Sequence, residues 1–372
     1  MKIAIDTFGC EHGRSGVGSY LTSLVKNLKK NTPHQFELFG SELDRYTYTS
    51  EHVATTYAGL SLPDSLNAER LWHFFSLKSF AKKNKYDAIL YPSGIHSLPL
   101  FFSIPGIAVV QEIVSETLKR TKSLFERKLI LYKLKKVTKI IAASQFIRKD
   151  LVNIGFDSSK IEVIHNGLDH SHFYQHTELE GDTVTIKPFS IKRPYFIYAS
   201  RIHHPSKRHI ELIQGFNAFK AKTQLPHRLV LAGSDGFDAG IVHEEAAKSP
   251  YASDIFLTGY FPHENLPELY SCADACVFPS ATEGVGLPVI EAMATGIPVL
   301  CAKSGSLTEI AGDNALYFNP DNPEDITRCL ELIVADAKLK EKLIKTGFEW
   351  VKRFSWEKTA DKTVELIEQL VK

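Results

Sequence analysis

The sequence predicts an α/β protein built from two doubly wound domains, and three observations carry that reading. Its 372 residues suffice for two domains, at roughly 150 residues per domain. Short apolar, β-rich runs alternate with helical patterns along the chain, the repetition that builds parallel sheets covered on both faces. A polar stretch at 167–194, rich in His, Thr and Glu, separates two series of such alternations.

The first series places strands at 2–6, 35–39, 87–91, 106–110, 138–142 and 161–164, with helical stretches near 17–30, 68–83, 123–137 and 145–154. The opening MKIAIDTFGC has an apolar run far too short for a signal-peptide core, so it reads as a buried first strand. Residues 167–194, with Pro188 and Pro194, read as a linker. The second series has strands at 195–200, 227–233, 254–259, 275–280 and 298–302. Its helices fall near 207–222, 263–272, 286–295, 324–334 and 336–352. A last amphipathic helix, 355–372, begins near Trp356. The boundaries expected are therefore 1–166, the linker 167–194, 195–354 and the terminal helix 355–372. Two such domains on one linker imply a cleft, and ligands of open α/β sheets bind outside the carboxyl ends of strands.

Composition removes several function classes. Forty-four Lys and Arg against 43 Asp and Glu leave a net charge of +1, which argues against a dedicated nucleic-acid binder. No stretch approaches the roughly 18 uncharged apolar residues that span a bilayer. The five cysteines, Cys10, Cys272, Cys276, Cys301 and Cys329, form no paired framework and fit reduced thiols of a cytoplasmic protein. His165, His170, His172 and His176 cluster near the linker, but their spacing fits no zinc pattern. His203, His204 and His209 read as members of a solvated loop.

The segment with most chemistry in it is PSATEGVGLPVIEAMATGIP, 279–298. Glu283 lies in a loop whose neighbours Gly284 and Gly286 let backbone approach a ligand. Leu287 and Pro288 open a helix, proline being well suited to a first turn. Free N–H groups and the positive end of the helix dipole make that start a phosphate site. Glu291 follows eight positions after Glu283 on the same helix. Two carboxylates flanking a phosphate site suit a molecule with phosphates in its middle and hydroxyls at both ends, such as a nucleotide-sugar. The plainer alternative is a helix cap at Glu283 and a solvated helix residue at Glu291.

The pattern E-x7-E within EGVGLPVIEAMATGIPVL closely resembles the retaining GT-B glycosyltransferases of family 4. SQFIRKDL (144–151), NGLDHSHF (166–173), ASRIHHPSKRHIELIQGF (199–216), LTGYFPHENLPELYSCADACVFPS (257–280) and GSLTEIAGDNALYFNPDN (305–322) extend the resemblance over nearly the whole chain. It implies a GT-B fold: two Rossmann-like domains facing a cleft, an acceptor-binding N-terminal domain, a nucleotide-sugar-binding C-terminal domain, and a final helix crossing back to the first. It further implies that Arg201 and Lys207 neutralise the donor diphosphate and that Glu283 holds sugar hydroxyls, the three catalytic positions. Donor binding would involve Gly16 in GRSGVG, main chain at Gly259, Tyr260 and Phe261 for the base, the helix start at Gly286, Leu287 and Pro288, and Glu291 for the ribose.

Three positions depart from the family pattern. Ser15-Gly16 stands where relatives often have paired glycines, Val285 where Phe is common, and Gln111 where many carry His. Gln hydrogen-bonds but cannot act as an acid or base near neutral pH. His96, in PSGIHSLP, is a possible substitute on the acceptor side.

The activity implied is retaining, metal-independent transfer of a hexose or deoxyhexose, with GDP-mannose the favoured donor, to a saccharide or lipid-linked acceptor in surface polysaccharide or lipopolysaccharide assembly. No cofactor is expected. Alternatives are a sugar-nucleotide epimerase of the same fold, a non-catalytic GT-B subunit, and a dinucleotide oxidoreductase whose G-x-G-x-x-G fingerprint is only half met at Gly16-Val17-Gly18. Residues 119–139 hold nine Lys and Arg against one acid, Glu126, interleaved with apolar residues. They read either as a helix with a solvated outer face or as a surface for anionic membrane.

Overall fold

The computed structural model describes residues 1–13, 15–49, 55–175, 183–186 and 189–371. They form two compact units, one of Met1–Gly167 with Phe354–Lys372 and one of Leu168–Arg353.

The first unit is a seven-stranded parallel sheet of β1 (Lys2–Asp6), β2 (Gln35–Ser41), β3 (Thr55–Leu60), β4 (Ala88–Tyr91), β5 (Gly106–Val110), β6 (Lys139–Ala142) and β7 (Ile161–Val163). Their order is β3-β2-β1-β4-β5-β6-β7. Central strands β4 and β5 are buried at every position, as expected where helices cover both faces. Ile3, Ile5, Leu38, Leu90, Ile107 and Val109 form the middle of the core. Strand β3 lies outside every strand expected from the sequence. It is an edge strand in which only Tyr57 is buried, so TTYAGL lacks the apolar run that marks the others.

The helix Trp356–Val371 completes this core. Trp356 packs edge-on against Tyr20 at 5.6 Å between centroids, and Ala360, Leu366 and Ile367 join the same cluster. Thr359 Oγ1 donates to the His165 carbonyl at 2.8 Å. A Cβ at Gly167 would stand 2.1 Å from the Trp356 nitrogen, so only glycine lets the two segments meet.

The second unit begins with an antiparallel hairpin, β8 (Thr183–Ile186) and β9 (Phe189–Lys192). Its main sheet comprises β10 (Tyr195–Ala199), β11 (Arg228–Ala232), β12 (Ile255–Gly259), β13 (Ala275–Phe278), β14 (Val299–Ala302) and β15 (Leu316–Phe318). All are parallel, in the order β12-β11-β10-β13-β14-β15. On one face the helix His209–Thr223 meets Pro323–Ala335 closely enough that Thr327 Oγ1 donates to the Gly215 carbonyl at 2.9 Å.

The reading of 167–194 as a linker is corrected here. Leu168 and Phe173 are buried, Phe173 lying against Tyr270 and His263, and the hairpin sets Phe189 nearly parallel to Phe261. Polar composition and two prolines hid a segment whose few aromatics do the packing. His176 lies outside the described residues. All five cysteines are free and buried. Among the described residues no helix is long and apolar enough to cross a membrane.

Trp356→Ala should destabilise the first unit by about 3–5 kcal/mol, the usual loss for a large buried aromatic. Gly167→Ala should weaken the same contact by steric conflict. Urea denaturation followed by tryptophan fluorescence checks both. An unchanged first-unit transition in Trp356→Ala would show that the helix adds nothing to that core.

Candidate active site

The candidate site forms at the carboxyl end of the second sheet, where strand order reverses. β10 and β13 are neighbours, with Phe196 opposite Ala275 and Ile197 opposite Cys276. From β10 the chain crosses to β11 on one side, and from β13 it crosses to β14 on the other. The two following loops therefore diverge and leave a crevice, the topological switch point at which open α/β sheets bind ligands.

The loop after β10 carries Arg201 and Lys207. The Ile202 N–H donates to Ser234 O at 3.0 Å and the Gly236 N–H to Ile202 O at 2.8 Å, which fixes the base of Arg201. Its side chain is exposed and passes over Gly236, where a Cβ would come within 2.9 Å of Arg201 Cδ. Among the described residues its guanidinium has no ion pair or hydrogen bond. The buried Tyr198 hydroxyl donates to the Lys207 carbonyl at 3.1 Å. Lys207 Nζ donates to Glu283 Oε2 at 2.7 Å and stands 5.8 Å from the Phe278 ring centre.

The loop after β13 is held from both sides. The Ala281 N–H donates to Ser206 O at 3.0 Å, tying it to the β10 loop. Ser304 Oγ donates to Ser280 O at 2.7 Å, and the N–H and hydroxyl of Ser306 both reach Glu283 O at 3.0 Å. Gly305 has φ +55°, and a Cβ there would stand 2.6 Å from Glu283 O, so this clamp requires glycine. Ser304, Gly305 and Ser306 are contributors that the sequence reading left without a role. The alternation of serine and glycine in KSGSLTE was the available signal, since short hydroxyl side chains in loops bond to nearby main chain.

Gly286, with φ 74° and ψ 30°, precedes the helix Leu287–Ala294. No side chain caps this helix; Pro288 in its first turn carries no N–H and the Val289 N–H donates to Gly286 O at 3.1 Å, which leaves the Leu287 N–H at the positive dipole end. Glu291, 8% exposed, lies on the same helix among buried Val289, Ile290, Ala292 and Met293. Its carboxyl has no ion pair or hydrogen bond among the described residues. Burial pushes its carboxyl up to about 8, so the group is protonated at neutral pH.

His209 corrects the expectation of a solvated loop. It is 1% exposed at the start of the helix His209–Thr223, with its ring centre 4.7 Å from that of Tyr198 and Nε2 3.3 Å from Ser200 Oγ. Burial, with Lys207 nearby, lowers its pKa to about 3 and keeps the ring neutral. At the end of β12, Gly259 has φ +67° and its carbonyl accepts from the Gly233 N–H at 3.1 Å. Tyr260 is 74% exposed, while Phe261 turns into the interior beneath Phe189. Phe261 therefore offers a ligand its main chain alone.

Gly16, Gln111 and His96 belong to the first unit. Gly16 opens the helix Gly16–Lys26 beside the N-cap Ser15, whose Oγ accepts from the Gly18 N–H at 3.2 Å. The glycine that packing demands is Gly18, where a Cβ would be 2.5 Å from Cys10 O; Gly16 faces open space. Gln111 Oε1 accepts from Asn166 Nδ2 at 3.3 Å. His96 Nε2 lies 2.7 Å from Glu112 Oε1, a contact that raises the histidine pKa. Among the described residues no group of three or more His, Cys, Asp or Glu is arranged to hold a metal.

Comparison with known proteins gives this arrangement its family. The model of glycosyl transferases group 1 matches residues 185–350, and that of glycosyltransferase family 4 matches residues 14–172. O-antigen chain mannosyltransferase B of Escherichia coli is 31% identical over 170 residues, 46% of this chain and 44% of that protein. A D-inositol 3-phosphate glycosyltransferase of Nocardioides is 28% identical over 246 residues, 61% of this chain and 52% of that protein. The matched stretches thus span about half or less of these curated relatives. In fold the chain is similar to sucrose-phosphate synthase from Thermosynechococcus elongatus, with TM-score 0.79 and 21% identity over 100% of this chain and 99% of that one. It is likewise similar to Anabaena HepE in complex with UDP and glucose, with TM-score 0.75 and 17% identity over 100% of both chains. Two parallel sheets of this order, matched by one family model each, make the chain a member of the GT-B glycosyltransferases of the group 1 and family 4 type.

Proposed function

We propose that the chain transfers a sugar from a nucleoside-diphosphate sugar to a saccharide or lipid-linked acceptor, with retention at the anomeric carbon and no metal. One observation carries the reading: the Lys207–Glu283 pair joins the two loops that diverge at the switch point of one sheet, beside an uncapped helix start, with Arg201 on the same loop as Lys207. Mannose, carried by GDP, is the sugar of choice, because a mannosyltransferase of O-antigen chains is among the relatives above 30% identity.

In this reading the diphosphate rests at the start of Leu287–Ala294, between Arg201 and Lys207. Arg201 offers a planar fork for two phosphate oxygens and Lys207 a compact charge. The bond from the anomeric carbon to the diphosphate oxygen breaks, leaving both electrons on that oxygen. The acceptor oxygen bonds to the same carbon from the same face, and its proton passes to the departing diphosphate. Cations fixed where this negative charge grows need no reorganisation during the step. Glu283 orients Lys207 and accepts hydrogen bonds from sugar hydroxyls. Glu291, neutral and otherwise unpaired, exchanges hydrogen bonds with the ribose hydroxyls. Main chain from Gly259 to Phe261 meets the base. Gly16 serves donor binding and Gln111 and His96 the acceptor side in the same proposal. Gln111 holds hydroxyls without moving protons, because an amide does not titrate in the working range.

Turnover with a panel of nucleotide-sugars and an acceptor extract, with the product anomer assigned by NMR, tests donor and stereochemistry. GDP-mannose should be consumed and give a retained linkage, and turnover should persist after EDTA treatment. Consumption of none of the panel, or an inverted product, would refute the assignment.

Lys207→Ala and Arg201→Ala should each lower kcat/KM by about 10²–10³, the usual loss on removing one donor to a developing charge. Steady-state kinetics checks this, and near-normal rates in either variant would remove that residue from the mechanism.

Glu291 supplies a pH test. Its carboxyl titrates near 4.5 in a free chain and near 8 when folded. Below the lower value both states are protonated. Between the two, the unfolded chain ionises while the folded one does not, so stability falls by about 1.4 kcal/mol per pH unit. Glu291→Gln should therefore melt higher than the parent at pH 8, equal it below about 4.5 and bind nucleotide more weakly. A thermal-shift series across pH with and without nucleotide reads both effects; equal melting at pH 8 would show the carboxyl is not held neutral.

A further inference from the structure

The helix Leu124–Lys136 does not present the all-polar outer face expected of a helix that merely covers a sheet. Its exposed positions, Leu124, Phe125, Lys128, Tyr132, Lys135 and Lys136, fall on one arc at helical spacing, so large apolar groups and lysines share the face that meets water. Leu124 is 69% and Phe125 76% exposed.

A second apolar cluster adjoins it. Arg70 Nη2 lies 3.3 Å from Glu126 Oε1 and ties the helix Leu66–Phe75 to the first turn of Leu124–Lys136. That helix exposes Leu71, Phe74 and Phe75, with the Phe74 ring 4.5 Å from Phe75 and 6.4 Å from the exposed Phe101. Of the sixteen large hydrophobic residues exposed among those described, eight lie on these two helices and at Phe101. Single exposed hydrophobics are ordinary on a soluble surface; half of them gathered in one region mark an interaction face. Between the helices a cavity of about 120 Å³ is lined by Arg70, His96 and Lys133 among others. Lys133 has no ion pair or hydrogen bond among the described residues.

Charge selects the occupant. Residues 119–139 carry nine cations and one acid, so an isologous dimer through this face would set like charge against like. A surface that is apolar just below its boundary and negative at it fits both features.

We propose that this face of the first unit docks on an anionic bilayer. Phe75, Phe101, Leu124 and Phe125 enter the interfacial layer. Lys128, Lys135 and Lys136 extend their stems along it and set their ammonium groups against headgroup phosphates. The proposal concerns attachment alone and is independent of the sugar chemistry, because its assay needs no donor.

Flotation of the full chain with vesicles of phosphatidylcholine, with or without phosphatidylglycerol, is the test. The chain should float with phosphatidylglycerol vesicles and not with phosphatidylcholine alone, and high salt should release it. Lys128→Ala and Lys135→Ala should each lower the partition coefficient about fivefold. The double variant Phe75→Ser/Phe125→Ser should lower it more than about tenfold while its melting temperature stays at the parent value, since both rings are exposed. Failure of the parent chain to float with anionic vesicles would overturn the proposal. So would flotation of the double variant at the parent level, or a dimer in sedimentation that those substitutions dissolve without any vesicle binding.

Discussion

The Lys207–Glu283 contact joins two loops that leave adjacent strands in opposite directions. Parallel pairing of β10 with β13 brings the loops close, but pairing alone leaves their tips undefined. Main-chain bonds from Ser306 and Ser206 fix the β13 loop, and those between Ile202, Ser234 and Gly236 fix the β10 loop. Each acts at a backbone group, so the site's geometry is set before any ligand charge enters. A fixed arrangement of cations is what makes electrostatic stabilisation of a departing diphosphate effective.

Two neighbouring carboxyl groups are placed in opposite electrostatic settings. Glu283 faces the Lys207 ammonium group, while Glu291 is enclosed by apolar side chains and is held neutral. One can orient a cation, and the other can donate as well as accept a hydrogen bond. The eight-residue spacing places one on the loop before the helix start and the other inside the helix, on either side of the turn at Gly286.

Much of this was legible in the sequence because it follows from buried strands and fixed spacings. Central strands read as unbroken apolar runs, and the glycines and proline before Glu291 mark a loop entering a helix. Edge strand β3 and the hairpin of β8 and β9 were not legible, since one is half exposed and the other carries its one aromatic, Phe189, in polar sequence. The serine clamp on Glu283 left only a weak trace, the Ser-Gly-Ser of 304–306, because its partner depends on which loops the topology brings together. His209 looked like one of three loop histidines, and its burial against Tyr198 at a helix start separates it from them. Likewise, the charge count of 119–139 was plain, but the aromatic cluster beside it arises from a distant segment.

A crystal structure with an intact nucleotide-sugar bound tests the central claim most directly. The account predicts the diphosphate at the start of Leu287–Ala294, within hydrogen-bonding distance of Arg201 and Lys207, with the ribose at Glu291. A diphosphate bound elsewhere, or these side chains turned away from it, would contradict the account.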